Sequence, residues 1–521
     1  MKAVTSAQMR EMDKIASTEF EITGFELMRR AGQGVASTVE YLAEKARGGN
    51  TFIQLIAGRG NNGGDVFAAA LFLHEDKFEV EVLLAGSASD IRGDALRHLG
   101  KMRAAGIPLT ELPTKESWED ALRDTGSGEI IVDGVLGIGV NGPPRGPVAG
   151  AIHYINAAAE DNLIVSIDVP SGLDADTGET PGEAVVADIT ATIGMPKIGL
   201  LSQKAIPYVG SLDVIGIGIP LELTAGYESA RHLITGWDAR RHLKKRSRTA
   251  HKGDFGHLLV IGGATGYAGA PALAALAALR SGTGLVSALV PRSTYSTVAG
   301  AALELMVHPG AETGTGSLEA AEWKEWQARI HDFTAIVAGP GMTRHADTAV
   351  WIRELLQQGQ CPLLLDADAL NVLEGDTLCV ASAKCPVVIT PHPGELARLL
   401  GCDTADIQKD REAAAIEAAR RTQAVVVLKG AGTLVAKEGI PLHVNMTGNP
   451  GMATGGMGDA LAGLIGGLLA QGIPPYEAAC TGVFMHGRAG DNAMWRHSQT
   501  SMLPTDLIDA LPGTFREVAV R

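Results

Sequence analysis

From Thr51 onward, short apolar runs alternate with longer segments whose apolar residues recur every three or four positions. This pattern predicts strands at 52–57, 79–84, 130–133, 163–168, 189–193 and 214–217, with helices at 65–74, 90–105 and 153–159 between them. A second series predicts strands at 257–261, 285–290, 334–338, 362–366, 386–390 and 424–428, with an alanine-rich helix at 270–281. Strand and helix alternating in this way implies α/β architecture, with largely parallel sheets covered by helices on both faces. Such sheets bind ligands outside the carboxyl ends of their strands. Periodicity lapses and charge rises within 225–249, so the expected boundary lies near 235, between domains 1–235 and 236–521.

A chain of 521 residues fits two such units. Hydrophobic residues make up 45% and aromatics only 4%, with 65 glycines, which describes cores of Ala, Val, Leu and Ile joined by many tight turns. The net charge of −15 argues against nucleic acid or an anionic membrane as a partner, so any anionic ligand must be held locally. The basic run from Arg240 to Arg248 falls at the expected boundary and reads as a solvated linker face. The five cysteines all lie in the second half without CxxC spacing, which disfavours a zinc site or disulfide framework. The first residues carry charges where a signal sequence needs an apolar core, and no run reaches the roughly 18 apolar residues of a membrane span. A cytoplasmic protein is expected.

The most informative segment is Asn449-Pro-Gly-Met-Ala-Thr-Gly-Gly-Met-Gly-Asp459, which runs into a helix of small apolar residues. Glycines there let backbone N–H groups converge on an anion at the positive end of the helix, with Asp459 placed to take a proton beside it. No Gly-Lys-Ser/Thr follows, so it is not a P-loop. Taken alone, it fits a glycine-rich packing loop equally well. It resembles the Gly-X-Gly-Asp anion hole of the ribokinase-like superfamily.

In the first half, Gly58, Gly60 and Gly63 satisfy GxGxxG, but the next strand lacks the acidic residue expected about 20 positions on. A dinucleotide dehydrogenase is therefore the runner-up. Three glycine-rich, carboxylate-bearing turns follow strands: Gly58–Asp65, Asp133–Pro143 and Asp168–Asp174. Singly they read as caps and turns; together they favour a site. With Thr5-Ser-Ala-Gln-Met-Arg-Glu-Met-Asp13, they resemble, in order, the epimerase half of the bifunctional NAD(P)H-hydrate repair family, an NAD(P)HX epimerase fused to an ADP-dependent NAD(P)HX dehydratase. The implied fold is a Rossmann-like three-layer domain followed by a ribokinase-like one. The resemblance assigns the damaged cofactor to Asn61, Asn62, Gly63, Gly64 and Asp65, and to Gly137, Ile138, Gly139, Val140, Asn141, Gly142 and Pro143. It assigns potassium to Asn62, Asp133 and Ser171, and proton transfer at the C6 hemiaminal centre to Asp168, which also contacts substrate.

In the second half, the segment from Lys252 to Ala270 resembles the opening of the dehydratase domain, with Ala270 at the hydrate site. Gly339-Pro340-Gly341 resembles a family motif that usually carries a further glycine where this chain has Thr343. The resemblance gives Gly341, His392 and Asp459 to the hydrate, and Glu395 to magnesium. It gives Lys429, Gly430, Ala431, Gly432, Thr433 and Gly458 to the nucleotide. By itself, Lys429–Thr433 reads as a hairpin turn between two apolar strands.

The implied chemistry has two stages. The first half interconverts R and S hydrates of NADH and NADPH (NADHX and NADPHX). The second phosphorylates the S hydrate from ADP, with Asp459 as base, and eliminates phosphate to regenerate the cofactor, releasing AMP. A small-molecule kinase, or a non-catalytic nucleotide sensor in the first half, are the rival readings. The expected assembly is a homo-oligomer.

Overall fold

Strand β1 (Phe52–Ala57) is buried along nearly its whole length. The same holds for β2 (Glu79–Leu84), β4 (Ile130–Gly134), β5 (Leu163–Ile167) and β6 (Ile189–Ile193), while β3 (Leu109–Glu111) and β7 (Ser211–Ile215) are more exposed. Continuous apolar runs of this kind mark parallel strands covered on both faces. Among the residues the computed structural model describes (1–47, 51–122, 130–139 and 142–519), these strands form one sheet in the order β3-β2-β1-β4-β5-β6-β7, every pair parallel. The order reverses between β1 and β4, which opens a crevice at their carboxyl ends. A short β8 (Arg231–Leu233) closes this unit against the amino terminus, with Leu233 N–H donating to Met1 O at 2.8 Å.

The helix after β1 spans Asn61–Glu75, four residues earlier than the pattern predicts. What reads as a glycine loop is thus the first turn of a helix; burial of this turn overrides the poor helix propensity of Asn-Asn-Gly-Gly. Two helices, Ser6–Glu19 and Gly24–Arg47, precede β1 where no element was expected. The first had a legible start: the Thr5 hydroxyl accepts from Gln8 N–H at 3.2 Å, and the Gln8 side chain accepts from Thr5 N–H at 2.8 Å.

The chain divides into units Met1–Leu233 and Ile234–Arg521. In the second, β9 (His257–Ile261), β10 (Leu285–Pro291), β11 (Met306–Gly310), β12 (Ala335–Ala338), β13 (Leu363–Leu365), β14 (Val387–Ile389), β15 (Val425–Leu428), β16 (Thr433–Ala436) and β17 (Leu442–Asn445) run in the order β11-β10-β9-β12-β13-β14-β15-β16-β17. Pairing is parallel as far as β15, then antiparallel through the β15–β16 hairpin and β17. Strand β11 escaped the sequence pattern because it is a half-exposed edge strand containing Pro309. Among the described residues, no helix is long and apolar enough to cross a membrane.

Small residues set the helix spacing here. The helix Met457–Ala470 lies against Gly269–Arg280 so closely that a Cβ on Gly463 would sit 1.9 Å from the Ala274 carbonyl oxygen. Gly463→Ala should therefore force the two helices apart and cost about 1–3 kcal/mol, the range for overpacking a core. Urea unfolding followed through the second unit would measure it.

Candidate active sites

In the first unit a cavity of about 730 Å³ opens where β1, β4 and β5 end. Asn61, Asn62 and Asp65 line it from the helix Asn61–Glu75, and Gly137, Ile138 and Gly139 from the turn after β4. Asp168 lines it from the turn after β5. The Arg10 guanidinium holds the second turn by donating to Ile138 O at 2.7 Å. Other expected contacts are not on this wall. Gly63 and Gly64 face inward: a Cβ on Gly63 would meet Gly58 O at 1.9 Å, and one on Gly64 would meet Met28 Sδ at 2.5 Å. They serve close packing of the helix on the strand. Gly142 and Pro143 lie off the cavity, and Val140 and Asn141 fall outside the described residues.

Asp168 adopts φ 68°, an unusual conformation for a residue other than glycine. Two contacts hold it there: Ile193 N–H donates to Oδ1 at 3.1 Å, and the Lys197 ammonium donates to the same oxygen. Lys197, only 1% exposed, also donates to Thr192 Oγ1 at 3.2 Å and Ile193 O at 2.7 Å. Two further carboxyls line this cavity. Burial pushes Asp65 well above the usual carboxylate range, with Asp168 and Asp13 adding to the effect. Burial likewise pushes Asp13 up to about 6, against the pull of Lys197. The sequence reading missed Lys197 altogether and gave Asp13 no role.

Asp133 and Ser171 stand behind the rim. The Asp133 carboxylate accepts four bonds, from Ser171 Oγ at 2.5 Å, Ser166 Oγ at 2.8 Å, Ser171 N–H at 2.9 Å and Val135 N–H at 3.2 Å. Burial nonetheless raises its pKa, and no Lys or Arg among the described residues pairs with it. Asn62 bridges the rim, its Nδ2 donating to Leu136 O at 2.7 Å and Ile167 O at 3.2 Å. This is an oxygen-rich setting around a buried carboxylate with no cationic side chain beside it among the described residues, and its donor types suit a hard cation.

In the second unit the ends of β12 to β15 carry Gly339-Pro340-Gly341, Asp366, His392 and Lys429 onto one rim. The Lys429 ammonium donates to Asp366 Oδ1 at 2.6 Å and lies 3.5 Å from Glu395 Oε2. It also sits 3.4 Å from where a Cβ on Gly458 would be. Lys429 thus faces Asp366, Glu395 and Gly458 at the rim and is not merely part of a hairpin turn. Asp459 lies in the first turn of Met457–Ala470, after Gly456 at φ 96°. Burial, then Asp366, Glu395 and Asp368, push its carboxyl up to about 7 although Lys429 opposes them. The first-turn N–H groups of Gly458 and Asp459 have no acceptor within the helix, so they are free for an anion.

His392 caps the helix Pro393–Leu400: its Nδ1 accepts from Gly394 N–H at 3.0 Å, and the Glu395 carboxylate accepts from His392 N–H at 2.8 Å. Glu395 therefore faces Lys429 and His392, and among the described residues no group of three His, Cys, Asp or Glu is arranged to hold a metal. Ala270 and Gly341 are neighbours, with the Ala270 methyl 3.3 Å from where a Gly341 Cβ would be. The Gly430–Thr433 turn is organised by Arg411, which sequence reading missed. Arg411 is 5% exposed and donates to Ala431 O at 3.0 Å, Lys429 O at 3.1 Å and Leu428 O at 3.3 Å.

With this geometry, the comparisons are specific. A family model described as NAD(P)H-hydrate dehydratase matches residues 258–513, and one described as YjeF-related protein N-terminus matches 24–199. The chain is 39% identical over 518 residues to the bifunctional NAD(P)H-hydrate repair enzyme Nnr of Moorella thermoacetica, covering 99% of this chain and 97% of that protein. The chain belongs to the bifunctional NAD(P)H-hydrate repair enzyme family. It is also 37% identical to the Escherichia coli protein of that name, over 96% of this chain and 92% of that one. A ribokinase-like superfamily protein from Enterococcus faecalis matches 57% of this chain and 99% of its own, with 27% identity and a TM-score of 0.50.

Membership of this family makes Thr343 instructive. It adopts φ 65°, which costs a residue with a side chain about 1–2 kcal/mol, and this explains the glycine usual in the motif. Its N–H donates to Asp368 Oδ2 at 2.9 Å and its hydroxyl pairs with Ser317 Oγ at 2.8 Å. Thr343→Val keeps the strain and loses the hydroxyl bond, so it should cost about 0.5–1.5 kcal/mol. Thr343→Gly also relieves the strain and should be the more stable of the two. Urea midpoints of the two variants would rank them.

Proposed function

We propose that the first unit epimerises R and S hydrates of NADH and NADPH, and that the second dehydrates the S form with ADP, giving NAD(P)H, AMP and phosphate. The observation that carries this reading is a carboxylate, Asp168 or Asp459, at a strand-end rim in each unit, in a chain aligned over nearly its whole length with named repair enzymes. In the first unit, Asp168 takes the C6 hydroxyl proton and returns it after the centre inverts. Asn61, Asn62, Asp65, Gly137, Ile138 and Gly139 hold the hydrate, and Gly63 and Gly64 let the helix that carries Asn61, Asn62 and Asp65 pack closely behind them. Asn62, Asp133 and Ser171 would hold potassium, which neutralises the buried Asp133 charge beside an anionic substrate.

In the second unit, hydroxide is a poor leaving group, so the C6 hydroxyl must first become a phosphate ester. Asp459 deprotonates that hydroxyl as it attacks the β-phosphorus of ADP. Lys429 and the N–H groups of Gly458 and Asp459 offset the charge on the transferring group. Ala270, Gly341 and His392 position the hydrate, and Gly430–Thr433 hold the AMP portion. Magnesium would be held chiefly by the nucleotide phosphates and water, since Glu395 is engaged by Lys429. The five unpaired cysteines accord with a reducing, cytoplasmic setting.

Mixing the protein with hydrated NADPH and ADP should yield NADPH, AMP and phosphate. A stable phosphorylated product instead would make the second unit a small-molecule kinase.

The two activities should fail independently. Asp459→Asn should lower dehydration by about 10²–10⁴-fold while epimerisation persists, and Asp168→Asn should do the reverse. Each variant's intact activity also reports that its other unit is folded. Because leaving Lys197 unpaired costs about 3–5 kcal/mol, circular dichroism of Asp168→Asn should accompany the assay.

Only ionised Asp459 can accept the proton. With its carboxyl pushed up to about 7, kcat/KM for dehydration should climb as pH rises through that value and level off above it. A flat profile between pH 5.5 and 8.5 would remove Asp459 from this role.

A further inference from the structure

Inverting a hemiaminal carbon through ring opening needs two proton positions, one on the hydroxyl oxygen and one on the ring nitrogen. That nitrogen is conjugated with the carboxamide and leaves carbon poorly unless it is protonated as the bond breaks. Asp168 can serve the hydroxyl. Lys197 is badly placed to serve the nitrogen, because its three N–H bonds are committed to Asp168, Thr192 and Ile193.

Asp13 meets the requirement differently. It projects from the helix Ser6–Glu19 into the cavity that Asp168 and Lys197 also line. Its Oδ1 is buried without a hydrogen-bond partner among the described residues. A buried carboxyl oxygen with no donor beside it is far cheaper to keep as a neutral acid than as an anion. Asp168, by contrast, is held against an ammonium group. Two carboxyls held in such different surroundings can divide the roles of acid and base between them. The charged and titratable groups facing Asp13 in this cavity are Lys197, Asp168 and Asp65, with Arg10, Lys14 and Arg59 also on its wall.

We propose that Asp13 is the second proton-transfer group of the first unit and donates its proton to the ring nitrogen of the hydrate. Asp168 removes the hydroxyl proton, the O–H pair becomes the second bond of a C6 aldehyde, and the C6–N1 pair passes to nitrogen as Asp13 protonates it. Rotation about C5–C6 presents the opposite face. Nitrogen re-attacks C6, Asp13 recovers its proton, and the new alkoxide takes the proton back from Asp168. No atom is gained or lost and both carboxyls return to their starting states. This rests on the epimerase reading above and adds a residue and a bond-breaking order to it.

The test uses the full-length protein and purified R-hydrate of NADPH without ADP, so that only epimerisation is read. Asp13→Asn should slow conversion by about 10²–10⁴-fold while dehydration of S-hydrate, assayed separately with ADP, stays native. In water enriched in oxygen-18, the native protein should invert C6 with its original oxygen retained, a measurement independent of whether the variant folds. Conversion by folded Asp13→Asn within a few-fold of native would overturn the proposal. So would oxygen-18 incorporation at every turnover, which signals loss of the hydroxyl instead of ring opening, or loss of activity in Asp65→Asn with Asp13→Asn unaffected. Absence of epimerisation by the native protein would overturn the epimerase reading and this assignment with it.

Discussion

A parallel strand has to be covered on both faces, and the chain must cross over a helix before the next parallel strand begins. The turn that leaves each strand therefore emerges at the same edge of the sheet as its neighbours' turns. Both units obey this constraint. In the first, the turns after β1, β4 and β5 meet around one cavity; in the second, those after β12, β13, β14 and β15 share one rim. Residues more than a hundred positions apart, such as Asn62 and Asp168, become neighbours because strand direction permits no other exit.

Crowding at these rims has an electrostatic consequence. Each gathers several carboxyls around one lysine: Asp13, Asp65 and Asp168 around the buried Lys197, and Asp366, Glu395 and Asp459 around the half-buried Lys429. One ammonium cannot compensate them all in a desolvated setting. The carboxyl in direct contact is paired, and burial drives Asp13, Asp65 and Asp459 toward neutrality. That asymmetry gives chemically identical side chains different affinities for a proton, and it pushes the Asp459 carboxyl up to about 7, as the proposed base role requires.

Glycine performs two different tasks in this chain. At Gly456 it lets the backbone turn into a helix whose first N–H groups remain free. At Gly63 and Gly463 it is packing that forbids a side chain, since a Cβ would collide with a backbone carbonyl. Asp168 and Thr343 hold conformations suited to glycine, and hydrogen bonds to their side chains or backbone keep them there.

The alternation of apolar runs was enough to read the buried central strands of both series, because strands buried on two faces need uninterrupted apolar residues whatever surrounds them. β1, β2, β6 and β9 begin and end where the pattern puts them. Asp168 and Asp459 were visible because glycine-rich turns flank them, whereas Lys429 by itself read as part of a hairpin turn and drew notice only through the family resemblance. The edge strand β11 and the early start of the helix Asn61–Glu75 were not visible, since exposure blurs the one pattern and burial overrides local propensity in the other. Nor could the sequence announce Lys197, Asp13 or Arg411. Each sits in an ordinary local context, and its importance arises only from what the fold brings against it: a carboxylate, a cavity shared with other charged groups, and a row of backbone carbonyls. Those pairings join segments far apart in the chain, so only tertiary structure decides them.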